Sequence, residues 1–409
     1  MSATLQDYQE VVGPGVIDEL RVLAERVRGR TMQHINSTAV GGGVAEILTR
    51  LVPLLRELCI DTKWDVIKGD QAYFNVTKAF HNALHGKPEE ISPAMFEIFR
   101  ANTEMNFRET NLTGDVIFVH DPQPAGLVLR KSEGGRRWVW RCHIDVSAPQ
   151  TNVWNFLREY VERYDAAIFS MPEFAQQLPI PQFRVAPSID PLSDKNKPLD
   201  RACVEQVLDK YRLDPRRPLL VQISRFDRLK DPLGVIDAYR LVKKRSNCQL
   251  VLAGGGATDD PEGEQVLREV QEAAAGDPDI HVLLLPPFSD LEINALVRAS
   301  TIVIQKSIRE GFGLTVAEAL WKRKPVIGGA VGGIKMQVIN GVTGYLVHSA
   351  EGAANRIAQL LRDRRLRERM GENGYQHVKQ NFLLTRQVKD YLLTMVALDH
   401  PDESVVYLT

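Results

Sequence analysis

Residues 301–320 read TIVIQKSIREGFGLTVAEAL. Thr301 to Gln305 is a short β-branched run of strand length, SIREGFG is a glycine-bearing loop, and LTVAEAL favours a helix starting near Gly313. Strand, loop and helix in that order is the repeating unit of an open parallel α/β sheet. The loop aims the amides of Gly311, Phe312 and Gly313 along a helix dipole, an anion-binding geometry. Glu310 sits in the loop, free to accept hydrogen bonds from hydroxyl groups, and Glu318 lies between one and two turns into the helix. Taken alone, the segment reads better as a capped helix with two incidental acids.

The same alternation extends in both directions. In the first half, after a polar helix around Gly15 to Arg28, strands are expected at Thr31 to Asn36, Trp64 to Lys68, Val116 to His120, Val139 to His143 and Ala167 to Ser170. The stretch RVAPSIDPLSDKNKP between Phe183 and Pro198 collects prolines and polar residues, and it is read as the interdomain linker. Strands resume at Leu219 to Ser224, Gln249 to Ala253, His281 to Leu285, Thr301 to Gln305, Pro325 to Gly328 and Gly344 to Val347. Helices then run from Glu351 to Leu398. With 409 residues the chain exceeds what one core usually organises, so two α/β domains are expected.

Lys plus Arg number 51 and Asp plus Glu 52, leaving no net field for a polyanion or an anionic membrane. Nucleic acid and membrane are therefore not expected partners. The charged run from Arg362 to Arg369 mixes acids and leucines at helical spacing and reads as a solvated helix face. Cys59, Cys142, Cys203 and Cys248 are far apart and suggest neither a zinc site nor a disulfide framework. Without an apolar leader after Met1, a cytoplasmic location is expected. A homodimer is compatible with the sequence.

Further candidates recur at strand ends. LLVQIS is followed by RFDRLKDPLGVIDAY, which puts Arg225 and Lys230 just ahead of a helix, a planar fork and a mobile point charge suited to phosphate oxygens. NSTAVGGGVAEIL joins the first strand to a helix running to about Leu58, and Gly41, Gly42 and Gly43 let backbone amides approach a phosphate. It is not the dinucleotide G-x-G-x-x-G, and no G-x-x-x-x-G-K-[ST] occurs. HDPQP (His120 to Pro124) and RCHID (Arg141 to Asp145) close two strands. His143, facing the crevice and followed by Asp145, is the better histidine candidate, although either could be structural. GDQAYFNVTKAFHNALHG, Gly69 to Gly86, shows no clear periodicity and reads as a substrate loop or a surface excursion.

EGFGLTVAEAL resembles the E-x7-E signature of the retaining glycosyltransferases with the GT-B fold, and Arg225 with Lys230 matches their diphosphate-binding pair. HINSTAVGGGVAEIL, FNVTKAFHNALHG, VHDPQPAGL and WRCHID resemble, within that group, the trehalose glycosyltransferring synthases. The likeness runs from about Gly29 to Phe382. It implies two Rossmann-like domains with parallel sheets facing across a cleft: an acceptor-binding domain over residues 1–190, a donor domain over 191–383, and a last helix in 384–409 returning to the first.

The resemblance also implies roles. Arg225 and Lys230 would hold the donor diphosphate, with Gly42 and Gly43 closing on it and Gly311, Phe312, Gly313, Leu314 and Thr315 completing the donor site. Glu310 would contact glucose hydroxyls, Glu318 the ribose, and His143 the transferred sugar. Asn82, Asp121, Gln123 and Asp145 are the candidate acceptor residues. The implied reaction joins a nucleoside diphosphate glucose and free glucose into α,α-trehalose with retention, reversibly, with no cofactor and no essential metal. A disaccharide phosphorylase, another retaining GT-B glucosyltransferase such as a sugar-phosphate-accepting synthase, a nicotinamide oxidoreductase and a non-catalytic sugar-binding protein are the rival readings.

Overall fold

The computed structural model describes residues 3–39, 43–255, 261–401 and 403. Gly41 and Gly42, named above as phosphate-binding candidates, lie outside the described residues. The chain divides into two compact units, one formed by Met1–Ser188 with Leu384–Thr409 and the other by Ile189–Leu383.

The first unit begins with helices α1 (Leu5–Val12) and α2 (Pro14–Arg26) and continues β1 (Thr31–Asn36), α3 (Gly43–Glu57), β2 (Asp61–Val66), α4 (Gln71–Leu84), α5 (Pro93–Glu109), β3 (Val116–His120), β4 (Arg137–Arg141), α6 (Thr151–Val161), β5 (Ala166–Phe169) and β6 (Gln182–Arg184). Its six strands form one parallel sheet in the order β2-β1-β3-β4-β5-β6. Central strands such as β3, VIFVH, are buried along their whole length, as expected where helices cover both faces.

The second unit runs α7 (Arg201–Lys210), β7 (Leu219–Ile223), α8 (Pro232–Lys243), β8 (Gln249–Gly255), α9 (Pro261–Ala274), β9 (Ile280–Leu285), α10 (Asp290–Ala299), β10 (Ile302–Gln305), α11 (Leu314–Trp321), β11 (Val326–Gly329), α12 (Ile334–Gln337), β12 (Gly344–Val347), α13 (Ala350–Arg362) and α14 (Arg364–Asn381). Its parallel sheet has the order β12-β11-β10-β7-β8-β9. From β7 the chain winds outward to β9, then crosses back to β10 and winds the other way. The switch point therefore lies between the carboxyl ends of β7 and β10, where ligands of open α/β sheets bind. The final helix α15 (Leu384–Asp399) belongs to the first unit and buries Val388, Tyr391, Leu392 and Met395.

Local chemistry starts the helices. Asp70, Asp200, Asp231, Ser349 and Asp363 accept from amides in the first turns of α4, α7, α8, α13 and α14. Pro14, Pro93 and Pro232 occupy first-turn positions, where the missing N–H costs nothing.

Several expectations are corrected. Residues 69–86 are neither loop nor excursion: most form α4, whose buried stripe is Tyr73, Val76, Thr77, Phe80, Ala83 and Leu84. The helical period is present, but Phe74 and the polar residues beside it blur it. Strand β2 spans Asp61–Val66 rather than 64–68, and β4 ends at Arg141, so His143 sits in the loop beyond a strand instead of on it. Both shifts follow the neighbours, which pair Thr31 with Asp61 and Val116 with Arg137. The start of the proline-rich stretch is the three-residue edge strand β6. Helices α1 and α5 were not anticipated.

Candidate functional site

In the second unit the loops after β7 and β10 bring two charged residues together. Lys230 donates to Glu310 Oε2 at 2.6 Å, and Ser307 Oγ donates to the same oxygen at 3.1 Å. The two charged side chains are only 20% and 10% exposed, so the pair is partly desolvated and more strongly coupled than a surface bridge. Oε1 of Glu310 receives no hydrogen bond from the described residues.

Each partner is held from behind. The carbonyl of Lys230 accepts from Gln222 Nε2 at 2.8 Å, and the Ile308 amide donates to Leu229 O at 2.8 Å, joining the two loops directly. A second ion pair, Lys306 with Asp231, bridges them again, both side chains largely buried. Asp231 also caps α8 from a left-handed conformation, φ 50°.

The loop from Glu310 to Gly313 rests on residues following β11. Gly333 N donates to Gly311 O at 3.1 Å, and Gln337 Nε2 donates to Phe312 O at 2.6 Å. Gly332 has φ +43°, and a Cβ there would lie 1.6 Å from the Glu310 carbonyl oxygen, so only glycine permits the approach. Gly313, at φ +81°, is the N-cap of α11 and offers no side-chain acceptor. The helix thus starts where the sequence suggests, with Leu314 and Thr315 as its first residues.

The remaining donor-site candidates are placed differently. Arg225 follows β7 with its side chain 64% exposed and the nearest carboxylate of the described residues, that of Asp227, 3.8 Å away. Phe312 is a core residue, its ring 5.5 Å from that of Phe382. Glu318 is buried one turn into α11. Lys322, four residues on, donates to Glu318 O at 3.1 Å and to Asn196 Oδ1 at 2.7 Å. Burial pushes the Lys322 ammonium down to about 7, against the attraction of Glu318 and with the help of Arg298 and Lys195.

In the first unit Asp121 and Gln123 follow β3, His143 and Asp145 follow β4, and Asn82 lies apart from them on α4. His143 is half-buried and its amide donates to Asp121 Oδ1 at 2.7 Å. Asp121 stands at φ +64°, uncommon for a non-glycine residue, and burial raises its carboxyl to about 6. Its carbonyl accepts from Trp140 Nε1 at 3.0 Å. Burial holds His143 well below its ordinary value, with Arg141 adding to the effect. Gln123 O accepts from Tyr73 OH at 2.7 Å, and its buried side-chain oxygen has no hydrogen-bond partner among the described residues. Asn82 donates to Glu89 at 2.9 Å, and Asp145 accepts from Ser147 N at 2.9 Å in a local turn. Gly43 opens α3.

Sequence reasoning passed over Ser307, Gln337 and the Gly332–Gly333 pair. SIRE and VGGIKMQ do carry them, but without the fold nothing marks a serine or an amide as the support of Glu310. Among the described residues no group of three or more His, Cys, Asp or Glu could hold a metal ion, and no helix is long and apolar enough to cross a membrane.

Residues 34–176 match the family model "Trehalose synthase, N-terminal domain", and residues 204–377 match "Glycosyl transferases group 1". The chain is 44% identical over 399 residues to a trehalose synthase of Thermococcus litoralis, covering 95% of each. It is 30% identical to a trehalose phosphorylase of Pleurotus pulmonarius, of which it covers 58%. Among solved structures, an α,α-trehalose-phosphate synthase (UDP-forming) from Burkholderia xenovorans, in complex with glucose 6-phosphate, superposes with a TM-score of 0.70 at 14% identity, covering 90% of this chain and 100% of that one. Two parallel sheets, the strand order at the β7–β10 switch point and 44% identity over nearly the whole length of a trehalose synthase agree: the chain belongs to the trehalose synthase family of GT-B glycosyltransferases.

Proposed function

We propose that the protein transfers glucose, with retention at the anomeric carbon, from a nucleoside diphosphate glucose to free glucose, giving α,α-trehalose in a reversible reaction. The observation that carries this reading is the Lys230–Glu310 pair at the switch point, beside a helix start without a side-chain cap. Leaving-group departure builds charge on a diphosphate. Lys230 and Arg225 are cations already positioned near the switch point, so they stabilise that charge with little reorganisation. The first amides of α11 add the positive end of a helix dipole.

Glu310 takes a different part. Its Oε2 is occupied by Lys230 and Ser307, which orient the carboxylate so that Oε1 can accept from glucose hydroxyls. Glu318 is assigned to the ribose. Because the departing oxygen can take the acceptor hydroxyl's proton on the same face, no separate protein base is required, and His143 orients the transferred sugar. With cations supplied by the chain, the reaction needs no metal. Asn82, Asp121, Gln123 and Asp145 are assigned to the acceptor.

The test is a panel of ADP-, GDP- and UDP-glucose with glucose, the disaccharide being identified by chromatography and trehalase digestion. Trehalose formation from at least one donor is expected. Trehalose breakdown driven by inorganic phosphate, and not by any nucleoside diphosphate, would instead establish a phosphorylase.

A further inference from the structure

Three imidazoles of the first unit form one hydrogen-bonded chain. His34 Nδ1 lies 2.9 Å from His120 Nε2, and His120 Nδ1 lies 2.9 Å from His143 Nε2. At the far end, His34 Nε2 lies 3.0 Å from Met32 Sδ. Met32 and His34 are two residues apart on β1 and so share a face of the sheet, while His120 ends the neighbouring β3. His34 is fully buried, with its ring 5.2 Å from Phe118 and 5.7 Å from Tyr391 of α15.

A thioether has no hydrogen and can only accept. His34 must therefore carry its proton on Nε2. A neutral imidazole has one N–H, so His34 Nδ1 is an acceptor and His120 must donate to it from Nε2. His120 Nδ1 is then an acceptor in turn, and His143 donates to it from Nε2. One sulfur atom sets the direction of both imidazole–imidazole hydrogen bonds. Burial keeps the rings neutral, pushing His34 down to about 3 and the other two well below their ordinary value, and Arg141 also disfavours charge on His120 and His143.

We infer that the chain Met32–His34–His120–His143 locks His143 as the Nε2–H tautomer, so that its Nδ1 is a standing hydrogen-bond acceptor for a hydroxyl of the transferred sugar. The inference rests on the reading of His143 as a sugar contact. His34 and His120 are positioning residues: they touch no substrate and act through the proton they fix on His143. A hydroxyl always has a proton to offer an acceptor, so the lock presents the sugar with one invariant partner and removes the alternative in which His143 donates.

The tautomer is read without substrate, by long-range 1H–15N correlation of the full-length protein carrying 15N-labelled histidine. All three rings should show the proton on Nε2 at neutral pH. A proton on Nδ1 of His143, or a doubly protonated ring, overturns the lock.

Its consequence is read in two variants. His34→Phe keeps a flat ring but gives His120 no acceptor, so His143 should populate the Nδ1–H tautomer and kcat should fall about tenfold, the worth of one hydrogen bond. His34→Gln offers a carbonyl to His120, so it should keep the Nε2–H tautomer and most of the turnover. Equal tautomer populations and equal kcat in the two variants overturn the inference. If His34→Phe shifts the tautomer without slowing turnover, the positioning role is overturned. His143→Ala then separates the causes: retained turnover means that the reading of His143 as a sugar contact has failed, and lost turnover means that only the relay has.

Discussion

Lys230 Nζ and Glu310 Oε2 are 2.6 Å apart although 80 residues separate them in the chain. The lysine is thus a candidate phosphate ligand and, at the same time, the group that orients the carboxylate. Lys230→Ala should lower kcat/KM by 10²- to 10³-fold, about 3 to 4 kcal/mol by comparison with other preorganised donors to a developing oxyanion. Glu310→Gln should cost a similar amount. Because the residues act as a pair, the double variant should cost clearly less than the sum of the two. Strict additivity in steady-state kinetics would show that the two act independently.

Arg225 presents the contrasting case. Its side chain is mostly exposed, with no carboxylate of the described residues closer than 3.8 Å, so those residues hold it only weakly. Arg225→Ala should leave the denaturant midpoint within about 0.5 kcal/mol of the parent and still remove about 3 kcal/mol of transition-state stabilisation. Arg225→Lys should recover only part, since a point charge does not reproduce a planar fork. Unchanged turnover in Arg225→Ala would place the diphosphate elsewhere.

The buried histidines predict acid sensitivity. Each has a folded pKa below the ordinary 6.5, so below that pH the unfolded chain takes up protons that the native chain does not, and stability falls as pH drops. Asp121 has the opposite sign. Its carboxyl, raised to about 6 from 3.8, is protonated first in the native chain and so favours the fold as pH falls through 6. The three histidines outweigh the single carboxyl, so the net effect of these groups is a stability that falls as pH drops below 6.5. Urea titrations at a series of pH values below 6.5 should show a shallower loss of stability in His34→Gln than in the parent. Parallel curves for parent and variant would contradict the linkage.

Gly332 tests the support of the Glu310 loop. A methyl group there meets the Glu310 carbonyl, whereas at Gly341, with a similarly positive φ of +79°, it meets nothing within 4 Å. Gly341→Ala should cost about 1 kcal/mol through its backbone conformation alone. Gly332→Ala should cost about 3 kcal/mol and reduce turnover as well, because Glu310 must move. Similar unfolding free energies for the two variants would show that the close approach is easily relieved.

Acceptor and metal dependence are examined together. With excess EDTA the rate should not change, glucose should be preferred to glucose 6-phosphate, and proton NMR should show only α,α-linked product. Loss of rate in EDTA would remove the role given to Lys230 and Arg225. A β-linked product would exclude retention, and a strict preference for glucose 6-phosphate would reverse the acceptor assignment.

By itself the sequence determined the alternation of strands and helices, because apolar runs of strand length such as VIFVH and LLVQI are long-range patterns that few other folds accommodate. It also carried Arg225, Lys230, Glu310 and Glu318, whose spacing from strand ends is local. Where local signals were weak, as in α4 with its mixed stripe or β6 with three residues, it did not show the element at all. Only the tertiary structure decided which residues meet. Lys230 reaches Glu310 because β7 and β10 are neighbours at the switch point, and three histidines from separate segments join because β1, β3 and β4 lie side by side. Parallel neighbours are distant in sequence by construction, since every strand must be followed by a crossover before the next can pair, so contacts across their ends leave no mark in any local stretch of residues.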